Sequence, residues 1–198
     1  DEAKAFIEEI ADTTITDPSG AGLNVENSRP NITFDGITVR GGTNGIRFEG
    51  VTGDFTVIGN TVIDNTTGAS ITVGNSRGKF RFGDTDIGQT TPVDTGIDII
   101  NSSGTFLFDD LDVQTSGTGE LAARVLKGQG LGTPQWFFYG SLTDVDFEIT
   151  VADNDPLFGP SGGIRASGGF VDGSPNDAIS ISNGSLFVDG LTFGANQP

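Results

Sequence analysis

Short runs of alternating apolar and polar residues fill most of this chain, and Asn, Ser, Gly and Asp separate them. Residues 96–113, GIDIINSSGTFLFDDLDV, show the pattern in full, because the runs IDI, FLF and LDV alternate with the corner sequences NSSG and DD between them. Alternation with a period of two is typical of short strands, and the separating residues favour tight turns. The pattern therefore predicts a unit of three short strands joined by corners.

The unit recurs along the chain at a nearly constant spacing. It opens at Gly22, Gly45, Ser70 and Gly96, and its second strand contains Ile32, Phe55, Phe80 and Phe106. By subtraction, both series have intervals of 23, 25 and 26 residues. A further copy occupies residues 178–193, where Leu186 takes the position of Phe106. Two anchors with equal intervals indicate a repeat of roughly 24 residues.

A unit of this length with three short strands cannot bury its apolar face alone. Stacking like strand on like strand gives three parallel sheets around a narrow core, and crossovers between parallel strands favour the right hand. We therefore predict an all-β fold, a right-handed parallel β-helix (solenoid) of about seven rungs. A β-sandwich also suits short strands with polar corners, but it does not require the repeat spacing.

Two parts of the chain depart from the repeat. Residues 1–12 place Ala3, Phe6, Ile7 and Ile10 on one helical face, so residues 1–20 are predicted as a short N-terminal capping α-helix and its linker. The β-helix is predicted over residues 21–198, with loop insertions near 127–135 and 153–163. Two irregular rungs are expected between the regular copies, one joining residues 121–123 with 136–139 and one joining 147–149 with 164–166.

The net charge and the missing residue types exclude several functions. A net charge of −17 opposes binding to nucleic acid or to an anionic membrane surface. The chain contains no Cys and no His, which excludes disulfides, thiolate or imidazole metal sites, and Ser–His or Cys–His catalytic pairs. No apolar run is long enough to span a bilayer. The absence of Met leads us to expect a processed or excised piece of a protein.

The repeat texture G-[IL]-x-[VFI] … G-x-F-x-[FV] … T-x-[IV] is seen in GIRFEGVTGDFTVIGNTVI, residues 45–63, and in residues 96–113. It resembles the right-handed parallel β-helix repeat regions of very large bacterial secreted and cell-surface proteins, and it covers most of residues 22–113 and 178–193. The resemblance implies an extracellular stalk, adhesin or passenger-like segment. Pectate lyases, polygalacturonases and phage tailspikes share this superfold, so the fold alone does not exclude an enzyme.

Paired carboxylates could act as general acid and base in glycoside hydrolysis. The candidate acids are Asp109 with Asp110, Asp84 with Asp86, and Asp144 with Asp146. The His-containing motif of the β-helix polygalacturonases is absent, and the Asp109-Asp110 pair lies at a corner, where Asp is also a good turn former. A lyase would need a basic residue beside calcium-binding carboxylates, and Arg124, Lys127 and Arg165 lie near the irregular rungs. The regular surface arginines, such as Arg47 and Arg81, are better explained as partners of neighbouring acids.

Two stretches could bind a ligand. Residues 136–139 form the one aromatic cluster, in which alternation buries two side chains and leaves two for a sugar ring or a protein partner. The candidate ligand-binding residues are Trp136, Phe138 and Tyr139. A Gly/Pro-rich loop contains Asp153, Asn154 and Asp155, whose hard oxygen ligands suit Ca²⁺. No other cofactor is expected.

Exposed strand edges recruit other chains, and the C-terminal end of the coil has no obvious cap in the sequence. Either the chain was cut from a longer coil, or another subunit stacks there head-to-tail, which can build an open filament. We therefore predict a non-catalytic, extracellular structural or adhesive module, for which head-to-tail self-association through the ends is one of these two interpretations. The alternative is a carbohydrate-active β-helix, lyase-like or glycoside hydrolase-like, or a carbohydrate-binding module. In either case the specific function is expected where the repeat breaks, after Leu121, and neither nucleic acid nor membrane insertion is expected.

Overall fold

The structure is a computed structural model that describes residues 8–117, 120–127, 135–151, 163–172 and 178–194. These residues form strands, turns and bends, and no helix is found among them. The strands are β1 (Glu8–Ile10), β2 (Thr13–Thr16), β3 (Ala21–Glu26), β4 (Asn31–Phe34), β5 (Ile37–Arg40), β6 (Asn44–Glu49), β7 (Asp54–Val57), β8 (Thr61–Asp64), β9 (Ile71–Gly74), β10 (Arg77–Ile87), β11 (Thr95–Ile100), β12 (Ser103–Val113), β13 (Leu121–Leu126), β14 (Gln135–Tyr139), β15 (Ser141–Val151), β16 (Gly163–Ser167), β17 (Phe170–Asp172), β18 (Ile179–Ser182), β19 (Ser185–Asp189) and β20 (Thr192–Phe193).

Successive turns of the chain stack into two sheets around a shared core. One sheet has seven strands in the order β18-β14-β13-β11-β9-β6-β3, and the other has thirteen. The thirteen-stranded sheet contains two ladders, because an early turn supplies two separate strands, such as β4 and β5, whereas β10 and β12 each span both positions. The three predicted ladders are therefore present, with two of them merged. The architecture is a β-solenoid of about six turns, which confirms the predicted fold class.

The register places equivalent repeat positions on one another. Phe80 is paired with Phe55 on one side and with Phe106 on the other, as the repeat spacing predicts. The rings of Phe80 and Phe106 are nearly parallel, with centroids 5.1 Å apart and an interplanar angle of 7°. The predicted second inward ladder is also present, and it consists of Ile46, Ile71 and Ile97. All six side chains are buried in the core.

Three of the four regular repeats open with a glycine, at 22, 45 and 96, because a side chain there would collide with its neighbours. A Cβ atom added at Gly96 would lie 2.5 Å from the carbonyl oxygen of Ala122 and 2.7 Å from Cγ1 of Val113. A Cβ atom at Gly45 would meet the side chain of Ile63 and lie 2.9 Å from the carbonyl oxygen of Ser70. The constant spacing of these residues therefore reflects close contact between the backbones of neighbouring turns.

The predicted N-terminal helix is wrong over its described part. Residues 8–10 form strand β1, which pairs in parallel with β4, and Ile10 packs partly buried against the core. Residues 13–16, expected to be a linker, form β2 and pair with β5. A helix of about three turns is marginal in isolation. An extended segment beside the edge of the coil instead completes a ladder of backbone hydrogen bonds, which satisfies its own polar groups and those of the edge.

The chain reverses direction and then reverses back between residues 121 and 167. The pairs β13–β14, β12–β15, β15–β16 and β14–β18 are antiparallel, whereas the earlier pairs are parallel. Each of the two irregular rungs expected from the sequence is instead a pair of antiparallel strands within one sheet, first β13 with β14 and then β15 with β16. The connections at 128–134 and 152–162, where the loop insertions are predicted, lie outside the described residues.

The inward ladder continues through this reversal. Phe106 pairs with Ile149, Ile149 with Ile164, and Ile164 with Leu186. Leu186 therefore does occupy the position of Phe106, as predicted, but the two strands between them are β15 and β16, and residues 136–139 lie in the other sheet. Alternation with a period of two points the same side chains inward whichever way a strand runs, so the apolar core is unaffected by the change of direction.

Candidate functional site

The outward surface of the regular turns is occupied by ion pairs between neighbouring turns. Arg47 binds both Glu26 and Glu49, and the Nη2 atom of Arg81 lies 2.8 Å from a carboxylate oxygen of Asp109. Hydrogen bonds from Asn24 and Arg47 lower the pKa of Glu26. These arginines offset acidic neighbours, as predicted.

Arg124, considered as a lyase base, lies in a two-point ion pair. Its Nε donates to Oδ1 of Asp98 over 2.9 Å and its Nη2 donates to Oδ2 over 2.5 Å. The hydrogen bond with Asp98 raises the pKa of Arg124. Proton loss from Arg124 is therefore harder than from a free guanidinium, which opposes a role as a base.

Arg165 also has a partner, since its guanidinium carbon lies 5.4 Å from the ring centroid of Phe187.

The candidate catalytic carboxylates divide into corner and surface positions. Asp84 and Asp110 are register partners at the bend of β10 and β12, where Asp109 pairs with Arg81. Asp86 lies two residues after Asp84 on the same outward face of β10, and its register partner in β12 is Asp112. Burial raises the pKa of Asp86, and the nearby carboxylates of Asp84, Asp112 and Asp64 add to the effect. The side chains of Asp144 and Asp146 lie outside the described part of the structure.

The aromatic segment in β14 divides its four rings between two faces. Trp136 and Phe138 are fully buried, and the indole Nε1 of Trp136 donates a 3.0 Å hydrogen bond to the carbonyl oxygen of Ser185. Phe137 and Tyr139 lie half-buried on the opposite face, with stacked rings 6.1 Å apart. Two of the three predicted ligand-binding residues are therefore core residues, and only Tyr139 is on the outward face.

The predicted calcium ligands Asp153, Asn154 and Asp155 lie outside the described residues. Within the residues that the structure does describe, no group of three or more acidic side chains is placed to hold a metal ion.

The last described turn, β18 to β20, exposes several apolar side chains. In the sequence these residues alternate with polar ones just as buried core residues do. Phe193, Ile181 and Val188 are 49%, 39% and 38% exposed. Their register partners one turn earlier, Val171, Trp136 and Ala166, are buried. The sequence of this turn alternates as an interior turn does, so only its position as the last recognisable copy could have identified the exposed end.

A pocket lies on the outward face where the regular turns meet the reversed one. Its volume is about 310 Å³, and it is lined by residues 114–117, which follow β12, by the start of β15, and by β17. The sequence does not indicate this pocket, because its residues come from three separate turns and none belongs to a recognisable motif.

No protein-family model, no curated protein and no solved structure matches this chain. Among the described residues there is no helix of a length and hydropathy that could cross a membrane.

Proposed function

We propose that this chain is a non-catalytic structural module, a β-solenoid segment that joins a second copy of itself head-to-tail. The observation that supports this most directly is the exposed apolar surface of the last turn. Phe193, Ile181 and Val188 are 49%, 39% and 38% exposed although they continue the inward ladders. A further turn stacked on this end would cover them as each interior turn covers the one before it.

The strand directions at the two ends are compatible with a head-to-tail contact between two copies, called the joint below. β19 runs parallel to β16, which is antiparallel to β15, and β15 is antiparallel to β12. Two reversals cancel, so the last turn runs in the same direction as the first. The C-terminal edge of one copy could therefore pair in parallel with the N-terminal edge of the next and continue the existing ladder.

The N-terminal end offers a matching apolar surface. Ile10, Ile15, Leu23 and Val25, from β1, β2 and β3, pack against the core but are only partly buried. Since β1 and β2 are strands, the described part of this end presents strand edges. A joint between two different surfaces of the same chain does not close on itself, and its repetition gives a filament.

Charge sets the condition under which the joint should form. The chain has a net charge of −17, so two copies repel each other at low ionic strength. Salt screens this repulsion and leaves the apolar contact. We therefore expect association to strengthen as salt and protein concentration rise. An extracellular, cell-surface location is part of the proposal and is supported by the repeat resemblance.

Sedimentation velocity over a range of protein and salt concentrations tests this function. The unmodified chain should form a concentration-dependent series of oligomers, and Val188→Lys should shift it to the monomer because a charge would be buried at the joint. Ile58→Lys is the matched control, since Ile58 is 65% exposed on the side of the coil. A monomer at every concentration, or oligomers that survive Val188→Lys, would overturn the proposal.

A further inference from the structure

The pocket on the outward face has a fixed polar floor built around Ser141. The Ser141 Oγ atom accepts hydrogen bonds from the backbone N–H of Thr115 over 3.1 Å and from Nε2 of Gln114 over 3.2 Å. Its distance to Oγ1 of Thr115 is 3.3 Å. Thr115 itself is buried. These bonds join the residues that follow β12 to the start of β15, so the floor is held by two turns of the coil rather than by a single loop.

An aromatic ring and a carboxylate stand side by side at the wall of the pocket. Phe170 and Asp172 are neighbours on the outward face of β17, and Phe170 is 36% exposed. Both are close to Gly194, where an added Cβ atom would lie 2.6 Å from Oδ1 of Asp172 and 2.9 Å from Cζ of Phe170. The tips of both side chains therefore lie beside Gly194, which follows β20 in the last turn.

The rest of the lining is hydroxyl and amide. Ser116 and Thr143 complete the rim, and Thr143 is paired in register with Phe170 across β15 and β17. Small-ligand sites typically combine an apolar surface with a few fixed polar groups, in pockets of roughly 300–1,000 Å³. At about 310 Å³, this pocket is at the small end of that range and suits a ligand the size of one ring.

The surrounding charge narrows the chemistry of the ligand. Asp172 lies in the wall of the pocket. Asp86 and Asp112, which are register partners in β10 and β12, lie on the same outward face. An anionic ligand would be repelled here. A ligand with one flat apolar face and several hydroxyl groups would match the Phe170 ring on one side and the amide, hydroxyl and carboxylate groups on the other.

We propose that this pocket binds an uncharged sugar residue of a glycan. The ring of Phe170 contacts the apolar face of the sugar, and the side chains of Gln114, Thr143 and Asp172 hydrogen-bond its hydroxyl groups. The site is independent of the end-to-end joint, because its lining faces outward whereas the joint uses the inward ladder of the last turn.

Titration of the ¹⁵N-labelled full chain with three trisaccharide probes tests this site: a neutral hexose trimer, a neutral N-acetylhexosamine trimer and a uronate trimer. At least one neutral probe should shift the amide signals of Thr115, Ser141 and Phe170 in a saturable way, and the uronate probe should not. Phe170→Ala should weaken that binding at least tenfold, and Ile58→Ala should leave it unchanged. Thr143→Lys, on an exposed residue, should block the pocket without loss of the fold.

Three results would overturn the assignment: saturable shifts with none of the neutral probes, equal binding of the uronate trimer, or binding that survives both Phe170→Ala and Thr143→Lys. The oligomer series measured by sedimentation is a separate readout. Loss of sugar binding with unchanged association, or the opposite, therefore tells the two proposals apart.

Discussion

The regular turns from β3 to β12 and the reversed turn formed by β14 and β15 share a core but differ in strand direction. Neighbouring strands within the regular turns are parallel to one another, and Phe80 lies between Phe55 and Phe106. In the reversed turn the neighbours are antiparallel, yet Ile149 lies between Phe106 and Ile164 in the same ladder. The comparison shows that inward alternation, rather than strand direction, defines this coil.

The two regions differ most on their outward surfaces. The regular turns present ion pairs in register, such as Arg81 with Asp109. The reversed turn presents the stacked rings of Phe137 and Tyr139 and contributes Ser141 and Thr143 to the pocket. A change of strand direction preserves the core while it brings new combinations of residues together outside. The outward surface therefore departs from the regular pattern of ion pairs where the repeat is broken.

The largest expected effect tests whether core residues of the two regions contribute equally to the free energy of unfolding. Phe80→Ala in the regular turns and Trp136→Ala in the reversed turn should each lower the free energy of unfolding by about 3–5 kcal/mol, because both side chains are fully buried. Urea unfolding, followed by circular dichroism, measures both. If Trp136→Ala were neutral while Phe80→Ala was costly, the reversed turn would not be part of the same core.

The next effect tests the close stacking of the regular turns. Gly78→Ala should destabilise the fold by about 1–3 kcal/mol or more, because the added Cβ atom would collide with the carbonyl oxygen of Gly53. Gly20→Ala is the matched control, since nothing lies within 4 Å of its added Cβ atom. Equal melting temperatures for the two variants would mean that the turns are further apart than the structure indicates.

The ion pair between Asp98 and Arg124 should contribute more to the free energy of unfolding than the ion pair between Arg81 and Asp109. Asp98→Ala should cost about 1.5–3 kcal/mol, because Asp98 is buried and accepts two hydrogen bonds from Arg124. Asp109→Ala should cost at most about 1 kcal/mol, because both partners of that pair are about half exposed. Chemical unfolding of these two variants, of Arg124→Ala and Arg81→Ala, and of the two double variants Asp98→Ala/Arg124→Ala and Asp109→Ala/Arg81→Ala completes the two double-mutant cycles. Similar coupling energies would contradict the difference in burial.

The smallest effect concerns pH. The pKa of Asp86 is raised above its ordinary value of 3.8, so the folded chain holds this proton more readily than the unfolded chain does. Stability from this group is therefore complete below 3.8 and declines as the pH rises through the raised pKa. Asp86→Asn should melt slightly higher than the unmodified chain at neutral pH, and the gain should vanish in acid. A gain that is independent of pH would place the cause elsewhere.

The sequence predicted the regular architecture because its cause is local and repeated. The intervals between Phe55, Phe80 and Phe106 predicted the register, and the equal intervals between the residues that open the repeats supported it. Leu186 was placed correctly across 80 residues, by subtraction, because alternation and repeat length are both insensitive to what lies between.

The rest could not be predicted for equally physical reasons. Alternation is the same in both directions along a strand, so the reversal between β13 and β16 left no trace in the pattern. The stripe that ends in Ile10 also fits a helix, and only pairing with β4 makes that segment a strand. The burial of Trp136 and Phe138 follows from which face of β14 meets the core, and the pocket joins residues from three turns.

Disulfide trapping tests the central claim, the reversed turn, most directly, because the chain contains no cysteine of its own. Phe137 and Ser180 are register partners in the antiparallel pair of β14 and β18, within the range of backbone distances that a disulfide requires. The Phe137→Cys/Ser180→Cys variant should oxidise to a single intramolecular disulfide, measured by thiol titration and non-reducing peptide mapping. Leu107→Cys/Phe137→Cys, which would be adjacent only if β14 continued the sheet of β12 in parallel, should keep both thiols. A disulfide in the second variant and free thiols in the first would contradict the account.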